Sequence, residues 1–171
     1  GKTLANDLGL ELVDTDQVLE RRVGSVIPDY VAENGWEAFR MLEKIIIRSI
    51  SNFDQRVIAT GGGAVLDWDN MRNLKKTGWV VWLRTSILTL GERMTQDERS
   101  GRVRPGLSGE NPMAEIEQIL SKRTALYERA CDHAVNTDGK SPEAVAREIM
   151  QSMPATVHGL QLPVYGLKSR R

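Results

Sequence analysis

The sequence predicts an α/β fold, a three-layer αβα arrangement on a central, mostly parallel sheet. Three observations predict it. Short apolar runs alternate with helix-length amphipathic stretches at the spacing of βαβ units. One run, Trp79-Val80-Val81-Trp82-Leu83, is apolar throughout, which suits a parallel strand covered on both faces. Two polar clusters, Asp14-Thr15-Asp16 and Gly61-Gly62-Gly63, directly follow two other runs. In open parallel sheets, ligands bind beyond the carboxyl ends of the strands.

The elements follow in order. Leu10 to Val13 reads as a strand running into Asp14-Thr15-Asp16, and a helix starts at about Gln17. Gly24 and Pro28 break it, and a second short helix runs to Asn34-Gly35. From Trp36 the apolar residues Phe39, Leu42, Ile46 and Ile50 keep the three-and-four spacing of an amphipathic helix. Val57-Ile58-Ala59 is a strand that ends on the glycine triplet, and Asp67 or Asp69 caps a helix through Lys76. Ser86 caps the next helix, to about Met94. Residues 96–112 are polar, glycine-containing and Arg-rich, the composition of a mobile lid. A helix over 114–131 follows, then a strand at Ala134-Val135-Asn136. Ser141-Pro142-Glu143 combines a cap, an N-terminal proline and an acid, and opens a helix that ends near Met153. Residues 1–153 thus form one domain, and 154–171 read as a solvated tail or the start of a further domain.

Composition narrows the function classes. The chain has 171 residues, with 23 basic and 23 acidic side chains. That balance argues against a dedicated nucleic-acid binder. The longest apolar run is far below the roughly 20 residues that span a bilayer. Cys131 is the single cysteine, so a Cys-rich zinc site is excluded. With no secretory pattern at its start, a reducing cytoplasmic setting is expected. Two histidines and no G-x-S-x-G motif argue against a serine hydrolase.

Asp14 and Asp16 lie two apart on what reads as an extended segment, so their carboxylates share a side. Such a pair suits a magnesium shell with a proton acceptor. A plain helix cap at Asp16 suits it equally. Gly61-Gly62-Gly63 lets backbone amides approach a ligand closely. Arg40 and Glu43, three apart on one helix, are either a surface ion pair or a group reaching over the strand ends. Arg123 falls within the apolar stripe of its helix, beside Ile116, Ile119, Leu120, Tyr127 and Ala130, and so must meet an anion or extend to solvent. Arg93, Arg99, Arg102 and Arg104 crowd the lid region, suited to clamping phosphates or simply solvated.

Taken together, the chain resembles the shikimate kinase family, over about residues 4–152. The resemblance rests on Leu12-Val13-Asp14-Thr15-Asp16, on Gly35 through Phe39-Arg40-x-x-Glu43, and on Thr60-Gly61-Gly62-Gly63-Ala64-Val65. It rests also on Val103-Arg104-Pro105 and Lys122-Arg123-x-x-Leu126-Tyr127. It implies a nucleoside-monophosphate-kinase-like fold and ATP-dependent phosphorylation of the 3-hydroxyl of shikimate, in aromatic amino acid biosynthesis. By the same resemblance, Asp16 binds shikimate and accepts the hydroxyl proton, and Asp14 holds magnesium through water. Arg40 and Arg123 grip the shikimate carboxylate, Gly62 lends its backbone to the shikimate hydroxyls with Gly61 and Gly63 also in the substrate site, and Glu43 orients Arg40. Arg104 swings onto the transferring phosphate, while Arg93 and Lys140 lie near the adenine of ATP. A monomer is the family's habit.

Departures are visible. Gly35-Trp36 stands where the family usually has Gly-Glu, and Arg104-Pro105 is followed by Gly106-Leu107. Gly1-Lys2-Thr3 looks like the end of a phosphate-binding P-loop, but length speaks against it. A helix returning along a five-residue strand covers about 17 Å and needs roughly 11 residues, and only Leu4 to Leu8 separate Thr3 from Gly9. Gly1-Lys2-Thr3 is therefore expected inside a helix, with the family's first strand and P-loop absent from the chain as written and ATP binding correspondingly poor. Two other readings stay open: a kinase of another polyol acid such as gluconate, and a binding or regulatory protein on the same fold.

Overall fold

The computed structural model of the chain describes residues 1–99, 112–155 and 157. In chain order these form α1 (Lys2–Leu8), β1 (Glu11–Asp14), α2 (Thr15–Val23), α3 (Ile27–Ile50) and β2 (Arg56–Ala59). A short 3-10 turn (Ala64–Leu66) leads into α4 (Trp68–Thr77), β3 (Val81–Arg84), α5 (Ile87–Arg99), α6 (Pro112–Ala130), β4 (His133–Asn136) and α7 (Pro142–Ser152). Lys2 and Thr3 are helical, but they open α1 rather than lying inside it, and Gly1 is its N-cap residue.

The sequence signals act where they were read. Gly24 stops α2 in the left-handed region at φ 74°, and Pro28 sits in the first turn of α3. Gly35, at φ 81° and ψ 166°, interrupts α3, so the stretch is two helical segments about one glycine. Ser141 caps α7 by accepting from the Ala144 N–H at 3.2 Å, Ser86 accepts from the Thr89 N–H at 3.2 Å, and Asp67 caps α4. Three expectations change. The helix after β1 begins at Thr15, because Asp14 takes the cap by accepting from the N–H groups of Asp16 and Gln17 at 3.0 and 3.2 Å. Asp16 is thus neither the cap nor on an extended segment. Helix α5 continues to Arg99, past the expected loop start at 96, and α6 begins at Pro112. The rest of the lid, with Arg102 and Arg104, and nearly all of the tail lie outside the described residues.

The strands pair in parallel, β1 with β2 from Glu11↔Arg56 to Asp14↔Ala59, and β3 with β4 from Val81↔His133 to Arg84↔Asn136. Among the described residues no ladder joins one pair to the other. Three clusters hold the layers. Val13, Leu19, Phe39, Ile46 and Ile50 tie β1 and α2 to α3. Ile47, Ala64, Val65, Met71 and Ala130 tie α3 and α4 to α6, and Val135, Val145 and Ile149 tie β4 to α7. The run Trp79–Leu83 is not covered on both faces: Trp79 and Val81 pack on the α7 cluster, but Leu83 is 50% exposed. The helices that clamp this strand reach its beginning rather than its end. Among the described residues, no helix is long and apolar enough to cross a membrane.

Candidate active site

The register Asp14↔Ala59 brings the carboxyl ends of β1 and β2 side by side, so Asp16 and the glycine triplet emerge together. A Cβ built on Gly61 would lie 3.1 Å from Oδ1 of Asp16, which shows how closely that carboxylate rests on the backbone. Gly63 is more constrained. Its Cβ would overlap the guanidinium of Arg40. The triplet is short of side chains because two charged groups occupy the space.

Arg40 reaches the loop from the second segment of α3. It donates to Oε2 of Glu43 at 2.7 Å and lies against the rings of Trp36 and Phe39, 5.4 and 4.9 Å from their centroids. Trp36 meets Phe39 edge to face at 5.5 Å. Glu43 is only 3% exposed and falls in the buried row Phe39, Glu43, Ile46, Ile47, Ile50. Burial pushes its carboxyl above the ordinary carboxylate range, against the opposing pull of Arg40, with Asp16 adding to the rise and Arg123 reducing it. Those influences place Asp16, Arg40, Glu43 and Arg123 in one electrostatic neighbourhood.

Helix α6 closes the other side. Arg123 donates to the Gly62 carbonyl at 3.4 Å, and the Tyr127 hydroxyl donates to the same oxygen at 2.6 Å. The Tyr127 ring stacks on Trp82 of β3 at 5.4 Å. Arg40 and Arg123, 83 positions apart in sequence, therefore approach the same three glycines from two helices. That is a forked cationic seat suited to a planar anion such as a carboxylate.

Arg93 and Lys140 converge elsewhere, at the carboxyl end of β4. Arg93 donates to Oγ1 and to the carbonyl of Thr137, both at 3.0 Å, and the Lys140 backbone N–H donates to that carbonyl at 3.3 Å. The Lys140 ammonium pairs with Glu148. Asp138 holds the Ser86 N–H at 3.0 Å and the Thr85 hydroxyl at 2.5 Å, which keep its carboxyl below its ordinary range. No hydrogen bond or ion pair of the described residues joins this group to the glycine loop.

No cluster of three or more metal-ligating side chains occurs among the described residues. Asp14 offers a single carboxylate, which suits an ion that keeps its water shell. Its Oδ1 is taken by the α2 cap, and magnesium keeps most of its waters while using one or two carboxylates. Sequence reading named Glu43 as the residue that orients Arg40 but not its burial, although Glu43 sits four positions after Phe39 and four before Ile47, in the apolar row. Tyr127 entered as an apolar residue and as part of the family motif, with no role for its hydroxyl. Asn70, 1% exposed and donating to the Ala64 carbonyl at 3.1 Å, carried no signal.

Known proteins resemble this chain in sequence and in fold. The sequence pattern of the shikimate kinase family matches residues 1–154. A shikimate kinase of Hahella chejuensis is 40% identical over 156 residues, covering 91% of this chain and 79% of that protein. One of Thermodesulfovibrio yellowstonii is 39% identical over 159 residues, covering 93% and 89%. The solved shikimate kinase of Acinetobacter baumannii, in complex with shikimate, superposes with a TM-score of 0.82 at 32% identity, over 88% of this chain and 82% of that one. Similarity of this extent, along most of the length and in three dimensions, shows that the chain belongs to the shikimate kinase family, the phosphotransferases that use ATP to phosphorylate shikimate.

Proposed function

We propose that the glycine loop and its surrounding charges are the shikimate seat, with Arg40 and Arg123 holding the carboxylate and the backbone of Gly61, Gly62 and Gly63 meeting the hydroxyls. The observation that carries this is the convergence of the two arginines on one loop, beside the Asp16 carboxylate. In this reading Asp16 takes the proton of the 3-hydroxyl as its oxygen attacks the terminal phosphorus of ATP, and ADP leaves. Glu43 fixes the reach of Arg40. Arg93 and Lys140 sit by the adenine, and Arg104, outside the described residues, meets the transferring phosphate. Asp14 holds magnesium through water, and the ion neutralises phosphate charge when bound. A monomeric chain, a cytoplasmic setting and a domain over 1–153 with a separate tail belong to the same proposal, on the family resemblance.

The test is shikimate-dependent ADP release by the full-length protein with magnesium and ATP. Saturable release that collapses in Asp16→Asn and Arg123→Ala is expected. Release that ignores shikimate, or survives both substitutions, would move the seat elsewhere.

A further inference from the structure

Tyr127 has no role in the scheme above, yet it makes a short hydrogen bond to the glycine loop. Its hydroxyl donates to the Gly62 carbonyl at 2.6 Å, whereas Arg123, one helical turn earlier on α6, reaches that oxygen only at 3.4 Å. The phenol ring is held independently, stacked on Trp82 at 5.4 Å and packed against the cluster of Ile47, Ala64 and Val65. A Cβ on Gly62 would lie 3.2 Å from the hydroxyl, so the loop approaches Tyr127 as closely as glycine allows.

Two consequences follow from elementary geometry. The Gly62–Gly63 peptide is trans, so its N–H points opposite its carbonyl. Pinning the carbonyl on Tyr127 therefore turns the Gly63 N–H to the far side of the loop, where it makes no hydrogen bond among the described residues. The second concerns Arg123. A carbonyl already served by a short phenolic bond competes weakly for a guanidinium, and the Arg123 fork stays available for an anion.

We infer that Tyr127 is a positioning residue for the substrate: by taking the short bond to the Gly62 carbonyl it aims the Gly63 amide at the ligand and leaves Arg123 only a long, 3.4 Å bond to the loop. The inference rests on the shikimate seat proposed above. Without the hydroxyl, Arg123 tightens its bond to the Gly62 carbonyl, and both the amide donor and the carboxylate clamp are weakened toward substrate.

The experiment is Tyr127→Phe in the full-length protein, which keeps the ring on Trp82. The expected result is a shikimate KM and Kd raised about tenfold, roughly 1.4 kcal/mol, with kcat, the ATP KM and the melting temperature little changed. Gly62→Ala, whose methyl crowds the hydroxyl, should likewise raise the shikimate KM, and the KM of the double variant should be no higher than that of Gly62→Ala alone. An unchanged shikimate KM overturns the inference, as do fully additive effects or a parallel loss of kcat and thermal stability. A substrate-free readout runs beside it: the amide NMR signals of Gly62 and Gly63 should shift or broaden in Tyr127→Phe. If the wild-type enzyme proves indifferent to shikimate, the proposed seat fails, and those signals alone decide whether Tyr127 sets the loop; unmoved signals overturn it.

Discussion

The guanidinium of Arg40 fills the space that a Cβ on Gly63 would need. Gly63 has φ −91° and ψ −11°, a conformation open to any residue, so the glycine is required by crowding and not by backbone shape. Gly63→Ala should therefore push Arg40 off Glu43 and raise the shikimate KM at least tenfold. Overpacking of this kind costs about 1–3 kcal/mol of stability. Steady-state kinetics and urea unfolding check both, and an unaltered KM would show that Arg40 is not held by this contact.

Glu43 and Arg40 separate binding from stability. Arg40→Ala leaves a buried carboxylate without its partner, a loss of about 3 kcal/mol because the carboxylate left behind is desolvated. The pH dependence has a definite sign. The folded pKa of Glu43 lies above its ordinary 4.5, first because of burial, so the folded chain holds that proton more tightly than the unfolded chain. Its contribution is fully present below 4.5 and fades as pH rises through the folded pKa. Arg40→Ala removes the main opposing pull and lifts that pKa further. The stability gap between wild type and Arg40→Ala should widen from pH 4.5 towards 7 and close in a Glu43→Gln background, while shikimate binding stays weak in both. Urea midpoints across a pH series test it, and a gap independent of pH would reject it.

Asp16 should act more on the rate than on affinity. Asp16→Asn keeps the size and one acceptor oxygen but removes the proton acceptor, so kcat should fall by about 10²–10⁴ with the shikimate Kd changed only a few-fold. Gly61→Ala, whose Cβ would meet Oδ1 at 3.1 Å, should give a smaller fall of the same type. ADP-release kinetics beside calorimetric titration separates the two quantities. Equal losses in both would make Asp16 a binding residue only.

The order of strands and helices was legible because each break has its own local chemistry. Gly24, Pro28, Gly35 and the Ser141 cap act within a few residues of where they stand. The carboxyl-end location of Asp16 and Gly61–Gly63 follows from parallel pairing, which the apolar runs foretell. What the sequence hides is tertiary. Whether Arg40–Glu43 is a surface pair or a half-buried one depends on which face of α3 meets the 3-10 turn. The same holds for Tyr127, an apolar residue by helical spacing whose hydroxyl finds the Gly62 carbonyl 65 positions away. Asp14 replaced Asp16 as the cap because the extended segment ends at Asp14, two residues earlier than read, and the first carboxylate of the pair then precedes the helix. Leu83 shows the opposite error, an apolar run read as covered where packing stops two residues short.

Asn70 supplies the last expectation. It is 1% exposed, its Nδ2 donates to the Ala64 carbonyl at 3.1 Å, and its Oδ1 has no partner. Ala64 follows the triplet directly, so this bond fastens the far end of the loop that Tyr127 fastens at Gly62. The Asp67 N–H reaches the same carbonyl only at 3.4 Å. Asn70→Ala removes the main donor and leaves a buried carbonyl poorly satisfied, at about 1–3 kcal/mol. Asn70→Asp keeps the shape but sets a buried carboxylate against that carbonyl, so at neutral pH it should melt earlier than Asn70→Ala. Protonating the acid restores a donor, and the order should narrow or reverse towards pH 4. Thermal melts of the two variants at both pH values provide the check. If Asn70→Asp unfolds no earlier than Asn70→Ala at neutral pH, the amide is not what holds the turn.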